Sequence, residues 1–347
     1  MKTNKFFSAL TVLFLLVFMA SCTSDNALIG PPGADGIDGV DGVDGTASCL
    51  ACHNTQHRDS ITDAYLISSH GSGTTFARGN SVSCARCHSN EGFVEVMETG
   101  LAQPRVAPEF PTRITCTTCH SDHDTFDFER DGQDFALRFK EDQVQLLVTD
   151  PSIVIDLNGS SNLCINCHQP RSLAPEDTDG DGMFTITSSR FGPHHGPQSM
   201  TLEGIQGFEI AGSTPYPGRA THPHRTISSC TTCHMGEPGN EVGTHTMKPN
   251  IVTCQQCHPG ATDFDINGTR TEIASLLADL ETRLADRGIL SGSGSAVPGD
   301  YPFELAGVYW NRIYIVEDQT LGVHNYEYVK ALLSNSIEYL DNNPAPN

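Results

Sequence analysis

The stretch Cys116-Thr117-Thr118-Cys119-His120 decides the fold of this chain, because the same Cys-x-x-Cys-His pattern occurs six times. Two cysteines separated by two residues, with histidine directly after the second, form the attachment signature of c-type haem. The thiols bond covalently to the porphyrin, and the adjacent histidine can bind the iron as its proximal ligand. The motif cysteines are Cys49, Cys52, Cys84, Cys87, Cys116, Cys119, Cys164, Cys167, Cys230, Cys233, Cys254 and Cys257. The proximal histidines are His53, His88, His120, His168, His234 and His258.

Other chemistries of paired cysteines fit these motifs less well. A Cys-x-x-Cys pair alone could form half of a four-cysteine zinc site or a thioredoxin-like redox pair. Neither chemistry, and no disulfide, requires a histidine directly after the second cysteine, whereas all six pairs have one. The sequence therefore predicts six covalent haem c cofactors and, through them, a role in electron transfer.

The remaining histidines are numerous enough to give every haem iron a second axial ligand. Of fifteen histidines, six belong to the motifs, which leaves nine for six distal positions. This surplus favours bis-histidine ligation, although His57, one helical turn after His53, is interpreted as a surface residue. Methionine is the competing distal ligand and would raise the reduction potential of a haem. The methionines that remain open as ligands are Met97, Met183, Met200, Met235 and Met247.

Beyond the motifs, five flanking segments make the chain resemble multihaem c-type cytochromes of respiratory or extracellular electron transfer. The resemblance extends from Cys49 to the C-terminus. It implies a mainly α fold with extensive loops and little β structure, in which the polypeptide wraps around a chain of haems. The segments are Ser68-Ser69-His70-Gly71, Cys119-His120-Ser121-Asp122-His123, Pro193-His194-His195-Gly196-Pro197-Gln198, Gly243-Thr244-His245-Thr246-Met247 and Gly322-Val323-His324-Asn325.

The same resemblance implies which histidines act as distal ligands. We expect one ligand from His194 and His195 and one from His222 and His224. The other histidine of each pair is expected to face solvent or a haem propionate. The full set of distal candidates is His70, His123, His194, His195, His222, His224, His245 and His324.

The N-terminus has the pattern of an export signal. Residues 1–5 are basic and residues 6–18 form an apolar run too short to span a bilayer as a mature helix. The run leads into Met19-Ala20-Ser21-Cys22, which resembles a bacterial lipoprotein cleavage site with acylation of Cys22. The alternative is an ordinary secretory signal with a spare cysteine. Thr23 follows the cysteine where Asp would resemble an inner-membrane retention signal, so we expect a lipid anchor in the outer membrane, on its periplasmic or cell-surface face.

Four segments follow from these patterns: a signal peptide over 1–21, a tether over 22–48, a six-haem domain over 49–268 and a C-terminal helical segment over 269–347. In the tether, glycine recurs at every third residue from Gly30 to Gly45. This is the period of collagen, but four of the five triplets place Asp at the third position. We interpret the tether as a flexible acidic spacer, with a short trimerising stalk as the alternative.

The composition is strongly acidic and poor in apolar residues. Asp and Glu number 42 against 20 Lys and Arg, a formal net charge of −22. Such a charge should repel nucleic acid and favour redox partner proteins with a basic docking surface, or an extracellular acceptor. Hydrophobic residues make up only 37% of the chain. We therefore expect the haems to supply much of the core and the apo-protein to be largely unfolded.

Two further patterns lie outside the haem motifs. Asp177, Asp179 and Asp181, with glycine at the sixth position, resemble the start of a calcium loop, although the usual Glu at position 12 is absent. The alternative is an acidic turn without bound calcium. After residue 268, apolar residues at helical spacing predict three helices, the first opened by a capping box at Thr269-Arg270-Thr271-Glu272.

Three functions are compatible with these features. An electron conduit of closed bis-histidine haems is favoured by the histidine surplus. An oxidoreductase needs an open haem, and the Cys-x-x-Cys-Lys motif typical of nitrite-reducing multihaem enzymes does not occur. A subunit of a polymeric cytochrome filament is the third reading, and the predicted lipid anchor argues for membrane attachment instead.

Overall fold

A computed structural model describes residues 47–141, 143–150, 152–157, 159–236 and 245–345. The predicted signal peptide, the acylated Cys22 and nearly all of the tether lie outside these residues. The chain divides into two units, residues 1–53 and residues 54–347. In the first unit the structure describes helix α1, Ala47–His53. Everything else described below belongs to the second unit.

Helices dominate the second unit, and its strands are short, which confirms the mainly α fold with extensive loops and little β structure. The helices are α2 Thr55–Leu66, α3 Ser69–Ser72, α4 Val82–His88, α5 Asn90–Thr99, α6 Cys116–Cys119, α7 Phe128–Asp131, α8 Ser161–Ile165, α9 Gln198–Glu203, α10 Pro223–Thr226, α11 Cys230–His234, α12 Ile251–Gln255, α13 Thr269–Asp286, α14 Phe303–Asp318 and α15 Tyr326–Asn342. Short 3₁₀ helices span Thr75–Asn80 and Ile266–Gly268. Among the described residues, no helix is both long enough and apolar enough to cross a membrane.

Two small antiparallel sheets connect distant parts of the chain. Strands β1 (Val144–Gln145) and β2 (Val154–Ile155) pair with Val144 opposite Ile155. Strands β3 (Met183–Ile186) and β4 (Gly299–Pro302) pair with Ile186 opposite Gly299. The second sheet joins the segment after the aspartate-rich loop to the entrance of α14.

The main apolar core lies where α13, α14 and α15 pack together. Ile273, Leu277, Leu280 and Leu284 are spaced by three or four residues along α13, so they share one face of the helix and are all buried. Trp310 of α14 is fully buried in the same cluster. The three helices predicted from apolar spacing are therefore present as α13, α14 and α15.

Polar groups on α14 hold an irregular segment of the chain, residues 205–208, against this core. Trp310 Nε1 donates to the Gln206 carbonyl at 3.0 Å, and Asn311 both accepts from Phe208 N at 2.7 Å and donates to the Phe208 carbonyl at 2.8 Å. Gly307 lies under the Phe208 ring, where an added Cβ would come within 2.2 Å of the ring atoms. Only glycine permits this close approach of helix and ring.

The predicted capping box at the start of α13 was wrong. The cap residue is Gly268, and no side-chain cap bond is made by Thr269. Asp265, one turn earlier, accepts hydrogen bonds from the backbone N of Arg270 at 2.7 Å and of Thr271 at 3.1 Å. A carboxylate near a helix N-terminus accepts hydrogen bonds from the unpaired backbone N–H groups, as a capping box does. Asp265 therefore caps α13 in place of the predicted capping box.

Candidate haem-binding sites

Each Cys-x-x-Cys-His motif forms about one helical turn. Helices α1, α4 and α11 contain a whole motif, and α6, α8 and α12 contain the start of one. Where the histidine follows the helix, its backbone N still bonds to the carbonyl of the first cysteine, at 2.8 to 2.9 Å for His120, His168 and His258. Residues four apart on such a turn lie on the same side, so the first cysteine and the histidine could hold one porphyrin between them.

Five of the predicted proximal histidines lie opposite a predicted distal histidine. The ring centroids of the pairs are 6.1 to 6.4 Å apart, a narrow range for side chains from separate segments. Each pair joins residues far apart in the sequence. The pairs are His88 with His194, His120 with His245, His168 with His70, His234 with His324, and His258 with His224.

This spacing fits an iron held between two imidazoles. A metal–imidazole bond is about 2 Å long and each ring centre lies about 1 Å behind its nitrogen, so two axial ligands have centroids about 6 Å apart. In the His194 ring, Nε2 is buried and has no hydrogen-bond partner, as expected of a nitrogen reserved for a metal. None of the ten cysteines in the last five motifs is in a disulfide, so their thiols remain available for haem attachment.

Burial keeps most of the paired imidazoles in the neutral form that binds metal. Burial, with a smaller contribution from His168, lowers the pKa of His70 to about 4. Burial, followed by the nearby His195, likewise lowers the pKa of His194 to about 4. The pKa of His324 moves in the other direction, because the charge and hydrogen bond of Asp318 outweigh the lowering effect of burial and raise it.

In each doublet of neighbouring histidines, one faces a proximal histidine and the other a carboxylate. His195 is 70% exposed in its side chain and its Nδ1 lies 2.6 Å from Glu317 Oε2. In the second doublet, His222 accepts from the backbone N of His224 through Nδ1, and its Nε2 lies 3.0 Å from Glu327 Oε2. The structure therefore selects His194 and His224 as the members that face a proximal ring.

The other histidines of interest have different surroundings. His57 is exposed on α2, where its backbone N bonds to the Asn54 side chain. His123 lies 5.4 Å from the Phe126 ring, and its Nδ1 is 3.6 Å from Asp134 Oδ2. His53 ends helix α1 in the first unit. The prediction that His53 is a proximal ligand and His123 a distal one stays a prediction.

The competing methionines have other positions in the described part of the chain. Met200 is fully buried within the apolar core cluster. Met183 lies on β3 and is 43% exposed. Met247 contributes its backbone carbonyl, which accepts from His234 Nδ1 at 2.8 Å. The geometry therefore favours histidine at the five paired sites.

Several motifs contact one another directly. Arg86, within the second motif, donates through Nη2 to Asn166 Oδ1 of the fourth motif at 2.8 Å, and both residues are buried. Cys87 Sγ donates to the Asn166 carbonyl at 3.9 Å, and Cys167 Sγ donates to the Arg86 carbonyl at 3.7 Å. Because both cysteines are predicted haem attachment points, haems on the second and fourth motifs would adjoin.

The fourth motif also contacts the fifth. Ser161, just before the fourth motif, accepts through Oγ from the backbone N of Thr231, within the fifth motif, at 3.1 Å. Helix α11 of the fifth motif in turn packs against α12 of the sixth. Motifs two, four, five and six are therefore in contact in series.

Five of the paired histidines have an Nδ1 partner that orients the ring, whereas the buried Nδ1 of His245 has no hydrogen-bond partner. Carbonyl oxygens lie at 2.8 Å from His120 Nδ1 and at 2.6 Å from His224 Nδ1, on Phe135 and Val323 respectively. A hydrogen bond from Nδ1 fixes the tautomer and directs Nε2 toward a metal. The Nδ1 partners of the paired rings His168, His234 and His324 are Gln198 Oε1, the Met247 carbonyl and Asp318 Oδ1.

The carboxylates of the aspartate-rich loop lie close enough together to bind a cation, and no other observation indicates that they do. Asp177, Asp179 and Asp181 each offer a carboxylate oxygen, and the three oxygens lie within 4.8 Å of one another. These carboxylates also accept hydrogen bonds from backbone N–H groups of the same loop, including those of Gly180 and Gly182. An acidic turn makes the same bonds, so calcium binding stays a prediction.

Two functional features were not found from the sequence. The choice within each histidine doublet depends on local backbone conformation, such as the left-handed φ of 70° at His194. Asp318 was overlooked because an acidic residue six positions before a histidine has no recognisable spacing. No signal in a single sequence would have indicated either feature.

Comparisons with known proteins agree with the motifs. No protein-family model matches the chain. It is 25% identical over 239 residues to the C-type polyheme cytochrome OmcC of Geobacter sulfurreducens, covering 53% of this chain and 30% of the relative. It is 23% identical over 335 residues to the C-type polyheme cytochrome OmcB of the same species, covering 74% and 44%. The chain thus spans less than half the length of these relatives.

Two solved structures are similar at low sequence identity. The outer cell wall cytochrome OcwA has a TM-score of 0.48 and 19% identity, covering 81% of this chain and 50% of that one. The undecaheme cytochrome from the S-layer of Carboxydothermus ferrireducens has a TM-score of 0.41 and 19% identity, covering 88% and 39%. On the evidence of its motifs and its polyheme relatives, the chain is a multihaem c-type cytochrome.

Proposed function

We propose that this protein transfers electrons through six covalently bound haem c groups whose irons are closed on both sides by histidine. The observation that carries the proposal is the set of five proximal–distal histidine pairs at 6.1 to 6.4 Å. An iron with two protein ligands has no open position for a substrate, so electron transfer is favoured over catalysis at those sites. When bound, the haems supply reversible one-electron chemistry.

The protein's own residues perform the remaining tasks. Cysteines on single helical turns fix each porphyrin, and Nδ1 contacts such as that of His120 to the Phe135 carbonyl orient the axial rings. The contacts of motif two with four, four with five and five with six would hold neighbouring haems close together. This serial arrangement supports a conduit in which electrons enter and leave at different haems.

Ligation is tested by electron paramagnetic resonance of the oxidised full-length protein. We expect only low-spin ferric signals, because every iron has two nitrogen ligands. The variant His70→Ala should convert one iron to high spin, since it removes the ring opposite His168. The matched control His195→Ala should leave all signals low-spin. A stoichiometric high-spin haem in the wild type would instead support an oxidoreductase.

The proposal includes export and attachment to a membrane. The predicted signal peptide and acylated Cys22 would anchor the protein to the outer membrane, with the acidic tether between the lipid and the haems. The net charge of −22 favours redox partners with basic docking surfaces, or an extracellular acceptor. We expect Cys22→Ala to move the protein from the membrane to the soluble fraction with its haem content unchanged. Retention of this variant in the membrane fraction would contradict the anchor.

A further inference from the structure

His324 differs from the other paired histidines in the group that its Nδ1 contacts. Its Nδ1 lies 2.7 Å from Asp318 Oδ1, and the Asp318 side chain is 1% exposed. Among the paired histidines that the structure describes, no other lies within ion-pair distance of a carboxylate. The Nδ1 atoms of His120, His168, His224 and His234 contact carbonyl or amide oxygens, which carry no full charge.

Both carboxylate oxygens of Asp318 have a hydrogen-bonding partner. Asp318 is the last residue of α14, and its Oδ1 faces the His324 ring. Thr320 donates from Oγ1 to the second carboxylate oxygen, Oδ2. Both oxygens are therefore held in place, with Oδ1 directed at His324.

A buried carboxylate on Nδ1 changes the electronic character of the ligand. It draws the Nδ1 proton toward itself, so the imidazole becomes a stronger electron donor at Nε2. A stronger donor stabilises ferric iron relative to ferrous iron. The uncompensated negative charge nearby acts in the same direction, and more strongly in a buried site than in water. Both effects lower the reduction potential of the haem concerned.

We propose that Asp318 is a positioning residue that places the haem of the fifth motif, between His234 and His324, at the low-potential end of the series. The inference rests on the proposed function in one respect, that both histidines bind the same iron. Because the fifth motif contacts both the fourth and the sixth, the low-potential haem lies inside the series of contacting motifs. Electrons passing along that series would then cross an uphill step at this position.

The test is a spectroelectrochemical titration of the full-length haem-loaded protein. In Asp318→Asn, the amide oxygen can still accept from Nδ1 but the charge is gone. We expect the low-potential end of the titration, about one sixth of the absorbance change for one haem in six, to move to higher potential. The rest of the curve should overlay that of the wild type, and all irons should remain low-spin.

The matched control is the neighbouring variant Glu317→Gln. Glu317 makes the same kind of contact, 2.6 Å to a histidine Nδ1, but with His195, which faces no proximal ring. We expect its titration curve to overlay the wild type. An Asp318→Asn curve that also overlays the wild type, or an equal shift in Glu317→Gln, would overturn the inference.

A second variant tests the inference if Asp318→Asn loses haem and cannot be titrated. Thr320→Val removes the hydrogen bond to Oδ2, so the carboxylate should accept more strongly from His324 and the low-potential end should move lower. An unmoved curve in this variant overturns the inference. Failure of the proposed ligation has a different signature, since it would appear as high-spin iron in the wild-type spectrum.

Discussion

Residues 54–141, which carry the second and third motifs, differ from the C-terminal helical segment in how much apolar surface they bury. Across residues 54–141, the buried apolar side chains are only Ala85, Phe93, Val96, Pro104 and Ala136. The same region exposes large apolar side chains, namely Leu66, Ile67, Leu101, Val106, Phe110, Phe126 and Phe135. From residue 269 to 345, by contrast, Val323 is the one large apolar side chain exposed among those described. One region lacks a polypeptide core, and the other has one.

This difference teaches where the haems are needed for folding. A segment that cannot bury apolar surface within its own chain must bury it against another group, and the porphyrins attached to its motifs are large and apolar. The helices α13 to α15 bury their apolar faces against one another and against Ile186 and Met200. The sequence-based expectation of a largely unfolded apo-protein therefore applies chiefly to the early motif region.

The largest expected effect comes from removing the haems altogether. We expect a variant with all twelve motif cysteines changed to serine to lose protection across residues 54–141, because no core remains there. Helices α13 to α15 should keep slow amide exchange, since their core consists of protein side chains. Hydrogen–deuterium exchange with mass spectrometry measures both regions in one sample. Equal loss of protection in both regions would remove the distinction.

A smaller effect is expected from a single substitution in the C-terminal core. Trp310→Ala deletes a fully buried side chain and its bond to the Gln206 carbonyl, so it should lower the free energy of unfolding by about 3–5 kcal/mol. The control is Phe110→Ala, at a side chain that is 79% exposed, where a change within about 0.5 kcal/mol is expected. Denaturant unfolding followed by far-ultraviolet circular dichroism compares the two. A cost at Phe110 matching that at Trp310 would show that the early region is as well packed as the core.

Local patterns in the sequence predicted the elements of the fold well. Apolar spacing such as that of Ile273, Leu277 and Leu280 indicated α13, because this signal acts within one or two turns of a helix. The resemblance to multihaem cytochromes supplied the distal candidates from which the structure draws all five paired rings. A single sequence holds the local signals that these predictions need.

The pairing itself could not be predicted, for a physical reason. Which proximal ring faces His70 or His245 depends on how separate segments pack, and those contacts span long stretches of chain. His224, and not His222, faces a proximal ring because His222 is the N-cap residue of α10. The His222 Nδ1 accepts a hydrogen bond from the backbone N of His224 and so caps the first turn of that helix. The replacement of the expected capping box by Asp265 has the same origin, since several residues can satisfy the same backbone groups.

The histidine pairs have a consequence for how the protein is made. A chain is synthesised and exported from its N-terminus, so His88 and His120 emerge well before His194 and His245, the rings that face them. His168 and His258 emerge after their partners, His70 and His224. Partly exported chains would therefore carry haems on the second, third and fifth motifs with one side of the iron open, and haems on the fourth and sixth motifs that can be closed at once. The order of residues along the chain thus sets the order in which the irons become protected from outside ligands during maturation.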